Sequence, residues 1–243
     1  MTPDKLVNTV SPKFQALGGA FYFHPDTLAR GKELGLDGFR FYVLGRGGVL
    51  GDVESRVVTS AFGYFNAPLV DKLWNSAKAK VEPRQAAREY LACGHALART
   101  KLADTAGLDA FCAAAEAVVA AADPGALALF AGISAEPLPD DAPARAYQLT
   151  SVLREHRGSA HLAAVRAVGL SPKVAHTIKR PTDVANFGYG PEEVPEITDE
   201  DRARHARAEE ITNLIEAPAY GVLDDAGATA LAAGVDGIEA AFA

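Results

Sequence analysis

The sequence predicts a mostly α-helical protein, and three observations support this prediction. In several long segments apolar residues recur at the 3.6-residue period of an amphipathic helix. Runs that favour strands are few and short. Hydrophobic residues make up 49% of the 243 residues and charged residues 23%. This is an ordinary globular composition, and it excludes a largely disordered chain.

Four helices are predicted, over residues 84–102, 108–122, 144–168 and 199–216. The second ends at the Asp-Pro-Gly sequence that contains Pro124, because proline cannot continue a helix. The third is expected to be broken or bent near Gly158 and to end at Gly169. Thr198 can cap the fourth, whose three leading acidic residues suit a helix N-terminus, and Pro218 follows its end.

Strand signals are limited to two short segments. Phe39–Leu44 is rich in aromatic and β-branched residues, and Gly221–Leu223 is a weaker candidate. Such a short apolar run also suits a buried helix, and periodicity does not decide between the two. A minor β component is therefore expected beside the helices.

Proline- and glycine-rich loops are predicted at residues 45–52, 135–143 and 187–196. The middle loop has three prolines and three acidic residues. It marks the expected boundary between an N-terminal half (1–135), which carries a candidate pocket wall, and a C-terminal half (144–243). Residues 28–51 and 162–187 share an order of helix, Gly-Leu corner, apolar run and basic turn. Few residues are identical, so duplication and chance both fit; duplication predicts a pocket where two pseudo-repeated halves meet.

Charge and hydropathy limit the partners that the chain can have. There are 24 Lys and Arg against 31 Asp and Glu, so the formal charge is −7. This balance argues against a chain-wide grip on nucleic acid. No apolar run approaches the roughly 20 residues of a membrane helix, and the N-terminal residues lack the apolar segment of a secretory signal. A cytoplasmic protein without a membrane partner is expected.

Two segments resemble signatures of an actinobacterial helix-turn-helix family related to the MarR-type winged-helix regulators. Gly45–Asn66 resembles a Gly-Arg…Leu-Gly turn followed by a helix that ends in an aromatic-Asn pair. Leu153–Gly169 resembles a Leu-Arg-Glu-His-Arg-Gly-x-x-His helix, which is the more specific motif. The resemblance implies a winged-helix-related helical fold, and it supplies no settled activity.

The sequence departs from this family pattern before its last long predicted helix. Gly188–Pro195 leads almost directly into that helix. The family places a Trp-centred acidic helix and a second short helix ending in Gly-Leu-Leu before it, in the region that forms the recognition helix and wing of a winged helix. A domain without its recognition helix lacks the element that enters the major groove. The C-terminal half is therefore expected to hold a degenerate winged-helix region with reduced DNA binding.

The richest polar cluster lies within the second motif. Arg157 and His161 are four residues apart and share a helix face, which suits an anionic ligand. His161 can serve as an acid or base near neutral pH, and His156, on another face, is the second catalytic candidate. The alternative is structural: Arg154 and Glu155 join Arg157 in ion pairs, and the histidines fill polar gaps.

Further candidates lie in the first 66 residues, where aromatic residues are dense. Arg46 stands in a glycine-rich turn at the end of an aromatic run, where it can line a pocket or belong to a plain turn. Tyr64 and Asn66 lie in a segment that can wall the pocket, and His24 either anchors a ligand or caps the next helix. Aromatic residues at this density are also typical of a core.

No pattern identifies a metal site or a cofactor. The histidines of the second motif lack the i, i+4 spacing of a zinc-binding helix, and there is no Cys-x-x-Cys. His95 and His205 are expected to stand alone on exposed helix faces.

The favoured hypothesis is a small-molecule-binding protein with a sensing, sequestering or regulatory role. An anionic or aromatic ligand would lie between the halves and contact His24, Arg46, Tyr64, Asn66, Arg157 and His161. One alternative is an enzyme that uses a histidine acid/base and an arginine anion site. The other is a dimeric DNA-binding transcriptional regulator.

Overall fold

The computed structural model describes all 243 residues and contains no strand. Helices and 3-10 turns account for 73% of the chain, so the predicted mostly α-helical class is confirmed. The twelve helices are α1 (Pro3–Leu17), α2 (Pro25–Glu33), α3 (Gly38–Gly47), α4 (Ser55–Phe62), α5 (Ala67–Lys78), α6 (Pro83–Lys101), α7 (Leu108–Ala121), α8 (Ala128–Ser134), α9 (Ala142–Ala167), α10 (Pro172–Lys179), α11 (Asp199–Tyr220) and α12 (Asp225–Phe242). Three 3-10 turns cover Gly48–Leu50, Val184–Phe187 and Pro191–Glu193. None of the helices has both the length and the apolar character that crossing a bilayer requires.

The four predicted helices are all present, as α6, α7, α9 and α11, with differences at their ends. α9 passes Gly158 without a break, so the helix is continuous there. α11 begins after Thr198 as predicted, and the Thr198 hydroxyl accepts from the Asp201 N–H. It continues through Pro218 to Tyr220, because one proline removes a single helical hydrogen bond while later ones form.

The minor β component is wrong. Phe39–Leu44 lies inside α3, and Gly221–Leu223 is a turn between α11 and α12. Asp37 caps α3 by accepting from the Arg40 N–H, which starts the helix at the head of the apolar run. The run is apolar because α3 is covered by α2, α5 and α6 and exposes little of its surface. Part of the loop predicted at 45–52 also belongs to this helix.

Helix α9 occupies the centre of the molecule. It packs against α1, α6, α7, α8, α10 and α11, and most of its residues are buried. The largest apolar core extends from Leu6 to Ile238 and contains residues from before and after the loop at 135–143. The division into halves at 1–135 and 144–243 stays a prediction.

The two segments of the suspected repeat form the same turn. Gly35 ends α2 with a φ of +74°, and Gly169 ends α9 with a φ of +73°. Leu36 and Leu170 follow, each 2% exposed, and each donates its N–H to the carbonyl five residues earlier. Asp37 and Ser171 then cap α3 and α10. We call α2–α3 and α9–α10 the two helix–turn–helix units, since the same helix-ending hydrogen bonds and cap recur in both.

Substituting the turn glycine Gly169 with alanine should destabilise the protein by about 1–2 kcal/mol, because a left-handed φ strains any residue with a Cβ. Gly158→Ala in the middle of α9 is the matched control. The added methyl group would meet other atoms only at 3.8 Å and beyond. It should stabilise the protein by about 0.5–1 kcal/mol. Urea unfolding midpoints measure both effects, and equal effects of the two substitutions would contradict this account of the turn.

Candidate functional site

A cavity of about 180 Å³ lies between the two helix–turn–helix units, α2–α3 and α9–α10. Side chains from α1, α3, α4, α8, α9, α10 and α11 reach it. Its apolar wall is mainly aromatic, and its polar wall is mainly basic. The residues that line the cavity include Tyr42, Arg46, Phe62, Tyr64, Phe65, Arg154, Arg157, His161, His176, Lys179, Arg180, Phe187 and Glu209.

The repeated turn places equivalent residues on this cavity. Tyr42 and His176 each stand seven residues after the turn glycine of their unit, and Arg46 and Arg180 each stand eleven residues after it. All four side chains line the cavity. The arginine comes one helical turn after the ring residue, so both project to the same side. The cavity therefore lies where the two pseudo-repeated units meet.

A buried carboxylate connects the two units. Glu155 on α9 is 2% exposed and accepts from Arg46 Nε and Nη2, both at 2.8 Å. It also accepts from Arg154 Nη1 at 2.6 Å and from the Tyr22 hydroxyl at 3.1 Å. Burial alone would raise the pKa of Glu155, but the two guanidinium groups lower it to about 2. One carboxylate thus serves two arginines.

A second network joins α9 to α11. Arg157 donates to Glu209 Oε2 and to Asn213 Oδ1, both at 2.9 Å, and it also pairs with Glu216. Glu216 is fully buried, and burial raises its pKa to about 7 despite the opposing influence of Arg157 and the Ser11 hydroxyl. The arginine is thus held in a fixed position with its guanidinium group at the cavity.

The electrostatic balance at the cavity is positive. Five cationic side chains line it, namely Arg46, Arg154, Arg157, Lys179 and Arg180. Three carboxylates pair with them, namely Glu155, Glu209 and Glu216. The cations exceed the carboxylates by two, in a chain whose net charge is −7. Arg180 is exposed and takes part in no ion pair.

Three buried polar atoms on the lining residues have no hydrogen-bond partner within the protein. They are the Tyr64 hydroxyl, Arg154 Nε and His176 Nε2. Buried polar groups are normally paired, so unpaired ones indicate a position where another molecule can bind. The ring of Phe187 stacks on Phe65 at 4.1 Å and lies 3.8 Å from the ring of His176. The unpaired atoms therefore stand beside an aromatic surface.

The structure brings four of the six predicted ligand contacts to this cavity. Arg46, Tyr64, Arg157 and His161 line it. His24 instead caps α2 by accepting from the Asp26 N–H, which was the other interpretation of this residue. Asn66 does not line the cavity; its side-chain amide donates to the Gly188 carbonyl and holds the segment that carries Phe187.

The two catalytic candidates lie in different surroundings. His156 is 1% exposed and packs on the ring of Phe130 at 4.7 Å, away from the cavity. Burial lowers its pKa to about 4, so it is neutral near pH 7. His161 lines the cavity, and its Nδ1 lies 3.0 Å from the Thr212 hydroxyl. The structure therefore contains the ion pairs of the structural alternative. It also places Arg157 and His161 together on the cavity.

Sequence reasoning missed several lining residues and one cluster. His176 and Arg180 could have been found by aligning the two turns, because they occupy the positions of Tyr42 and Arg46. His205, expected alone on an exposed face, lies on α11 with its ring 5.7 Å from that of His161. Glu209 is four residues after His205, so the i, i+4 spacing was visible on α11. The third residue of this cluster is His161 on α9, which is distant from α11 along the chain.

Replacing the buried carboxylate in Glu155→Gln should lower the free energy of unfolding by about 3–5 kcal/mol, because two buried arginines lose their counter-charge. Glu116→Gln is the control, since Glu116 pairs with Arg145 at the surface. Its cost should stay within about 1 kcal/mol. Chemical denaturation measures both, and a small effect of Glu155→Gln would contradict the structural role of this pair.

The raised pKa of Glu216 gives a pH dependence with a definite sign. The folded state holds a proton up to a pH of about 7, whereas the unfolded state releases it near 4.5. Stability should therefore fall as pH rises through this window, by at most about 1.4 kcal/mol per pH unit. His156 Nδ1, at 3.9 Å, and Arg157 also face this carboxyl group.

The measurement is the difference in unfolding free energy between the natural protein and Glu216→Gln as a function of pH. Because the variant lacks this titration, its stability should gain on that of the natural protein as pH rises from about 5 to 8. His156 is already neutral in the folded protein over this window, because burial lowers its pKa to about 4. A difference that stays constant over this window would show that the carboxyl group is already ionised at its lower end.

Comparison with known proteins gives one family. A family model described as a helix-turn-helix family matches residues 7–194, which is most of the chain. The matched region contains both helix–turn–helix units and ends before α11. No curated protein and no solved structure matches the chain.

Proposed function

Since the chain belongs to this helix-turn-helix family, we propose that it is a small-molecule-binding regulatory protein. The ligand is a compact organic anion with an aromatic or apolar body. It binds in the cavity between the two helix–turn–helix units. The observation that carries this proposal is the convergence of unpaired donors and excess positive charge on one aromatic-walled cavity.

The positive excess favours an anion. Arg180 has no counter-charge, and Arg154 shares Glu155 with Arg46. A carboxylate or similar group beside Arg180 and Arg154 Nε would accept charge-assisted hydrogen bonds, which contribute about 1.5–3 kcal/mol each. Repulsion among the cations would be relieved at the same time. An uncharged ligand would gain neither the charge-assisted hydrogen bonds nor the relief of this repulsion.

The size and lining of the cavity favour a single ring. An apolar cavity of about 150 Å³ binds benzene in another protein. The cavity here is slightly larger, at about 180 Å³, and is walled by Phe62, Phe65 and Phe187. Stacked and edge-on contacts with these rings suit a flat apolar body. A benzoate-sized aromatic acid therefore matches both walls.

The position of the cavity suits regulation. Each unit contributes an equivalent arginine and ring residue, so a ligand that contacts both fixes one unit relative to the other. A ligand shifts a conformational equilibrium by its difference in affinity for the two states. A contact with both units provides such a difference.

Binding should depend on Arg180. Benzoate and 2-hydroxybenzoate are titrated into the full chain by calorimetry, with benzamide as the uncharged counterpart. Arg180→Gln should weaken binding of the acids about tenfold, which equals the loss of roughly 1.4 kcal/mol, and leave benzamide unchanged.

Arg166→Gln is the matched control, because Arg166 is an exposed arginine at the end of α9 and does not line the cavity. Its affinity for the acids should equal that of the natural protein. No binding of any acid, or equal losses in both variants, would overturn the proposal.

A second candidate function is DNA binding, and the family assignment favours it. α10 holds the place of a recognition helix after the Gly169 turn, with Lys173, Lys179 and Arg180 at or beside it. Its middle is buried, however, and Lys179 and Arg180 line the cavity. Fluorescence anisotropy with duplex DNA tests it: a salt-dependent complex lost in Lys173→Gln supports it, and no complex at low salt removes it.

A further inference from the structure

Three potential metal ligands meet at one side of the cavity. His161, His205 and Glu209 each offer a ligand atom, and these atoms all lie within 4.8 Å of one another. His205 and Glu209 are one turn apart on α11, and His161 reaches them from α9. His161 Nε2 lies 3.9 Å from Glu209 Oε1, which is too long for a hydrogen bond.

The hydrogen bonds of Thr212 define the tautomer of His161. The Thr212 hydroxyl donates its only proton to the Ala208 carbonyl at 2.7 Å. It must therefore accept from His161 Nδ1, which lies at 3.0 Å. In the neutral imidazole Nε2 then carries a lone pair, and this lone pair and a carboxylate oxygen face the same space. Two such acceptors are brought together favourably by a cation.

The third group, on His205, also has a nitrogen without a hydrogen-bond partner. This nitrogen is Nε2, and it is buried. A histidine binds a metal ion through a ring nitrogen that carries no proton, and a bond from the other ring nitrogen normally orients the ring.

We propose that His161, His205 and Glu209 bind a divalent transition-metal ion, with Zn²⁺ as the best match, and leave one coordination position open to the cavity. Two imidazoles and one carboxylate form a donor set of zinc sites with an open position. Mg²⁺ and Ca²⁺ prefer oxygen ligands and fit it poorly. Zn²⁺ with ligand distances of about 2.1 Å holds its donors roughly 3.4 Å apart, so the side chains close by about an ångström.

The neighbours of Glu209 are compatible with a metal ion. Arg157 holds Oε2 at 2.9 Å and leaves Oε1 toward His161. Lys179 lies 3.3 Å from Oε1, but its side chain is 60% exposed and can turn into solvent. The metal site goes beyond the proposed function, because metal binding is measured with no organic ligand present and can succeed where the aromatic acids fail.

The test uses tag-free full-length protein freed of metal by a chelator. Calorimetric titration with Zn²⁺ should show one site, and Zn²⁺ should raise the melting temperature because it binds only the folded chain. Co²⁺ should give the visible absorption of a low-symmetry site with nitrogen and oxygen ligands. Mg²⁺ should produce neither effect.

Three variants locate the site. Zn²⁺ binding should weaken strongly in each of His205→Ala, Glu209→Gln and His161→Ala. The loss should exceed the roughly 10- to 100-fold effect of removing a group that only supports a metal ligand. His24→Ala is the matched control, because His24 is a histidine beside a carboxylate, Asp26, at the surface. It should leave Zn²⁺ affinity unchanged. Circular dichroism without metal verifies folding, and if one variant unfolds the other two decide.

A fourth variant tests the tautomer argument. Thr212→Val keeps the shape of the buried side chain and removes the oxygen that accepts from His161 Nδ1. It should weaken Zn²⁺ binding about tenfold and change the Co²⁺ spectrum while the three ligands remain. The proposal is overturned if the natural protein binds no Zn²⁺, or if binding persists unchanged in His205→Ala and Glu209→Gln.

Discussion

The buried ion pair between Glu155 and Arg46 is the interaction on which the candidate site depends. Glu155 lies on the central helix α9, and its carboxylate accepts two hydrogen bonds from Arg46, which belongs to the other helix–turn–helix unit. Because Arg154 shares the same carboxylate, one positive charge at the cavity remains uncompensated. The pair that joins the units therefore also leaves the positive charge on which the proposed binding of an anion rests.

The burial of α9 explains why its polar residues form a site. Most of the helix is covered by neighbouring helices, so each polar side chain must find a partner on another element. Glu155 finds it on α3, Arg157 on α11 and His161 at Thr212. Ordinary amphipathic helices keep such residues in water. Here their partners converge, because side chains of α3 and α11 reach the same stretch of α9.

The helical class and four of the twelve helices could be predicted from the sequence. Helical periodicity marks α6, Pro124 follows α7 and Thr198 caps α11, so local signals suffice for these three. The sequence leaves Phe39–Leu44 open between a strand and a buried helix, because neighbours cover α3 on several sides and so remove the polar positions that reveal a helical period. Arg157 and His161 were found because one helix carries both. His176 and Arg180 depend on a repeated turn whose residues differ in identity.

The acidic net charge of the chain is only a partial guide to the charge at the cavity. A formal charge of −7 describes the average surface, whereas the cavity holds more cations than carboxylates. Glu209 bears on both proposals, since it pairs with Arg157 and Lys179 and faces His161. A metal ion at Glu209 would release Lys179 and add positive charge to the wall that an organic anion contacts. Binding of the two would then be coupled, and by linkage each would strengthen the other by the same factor.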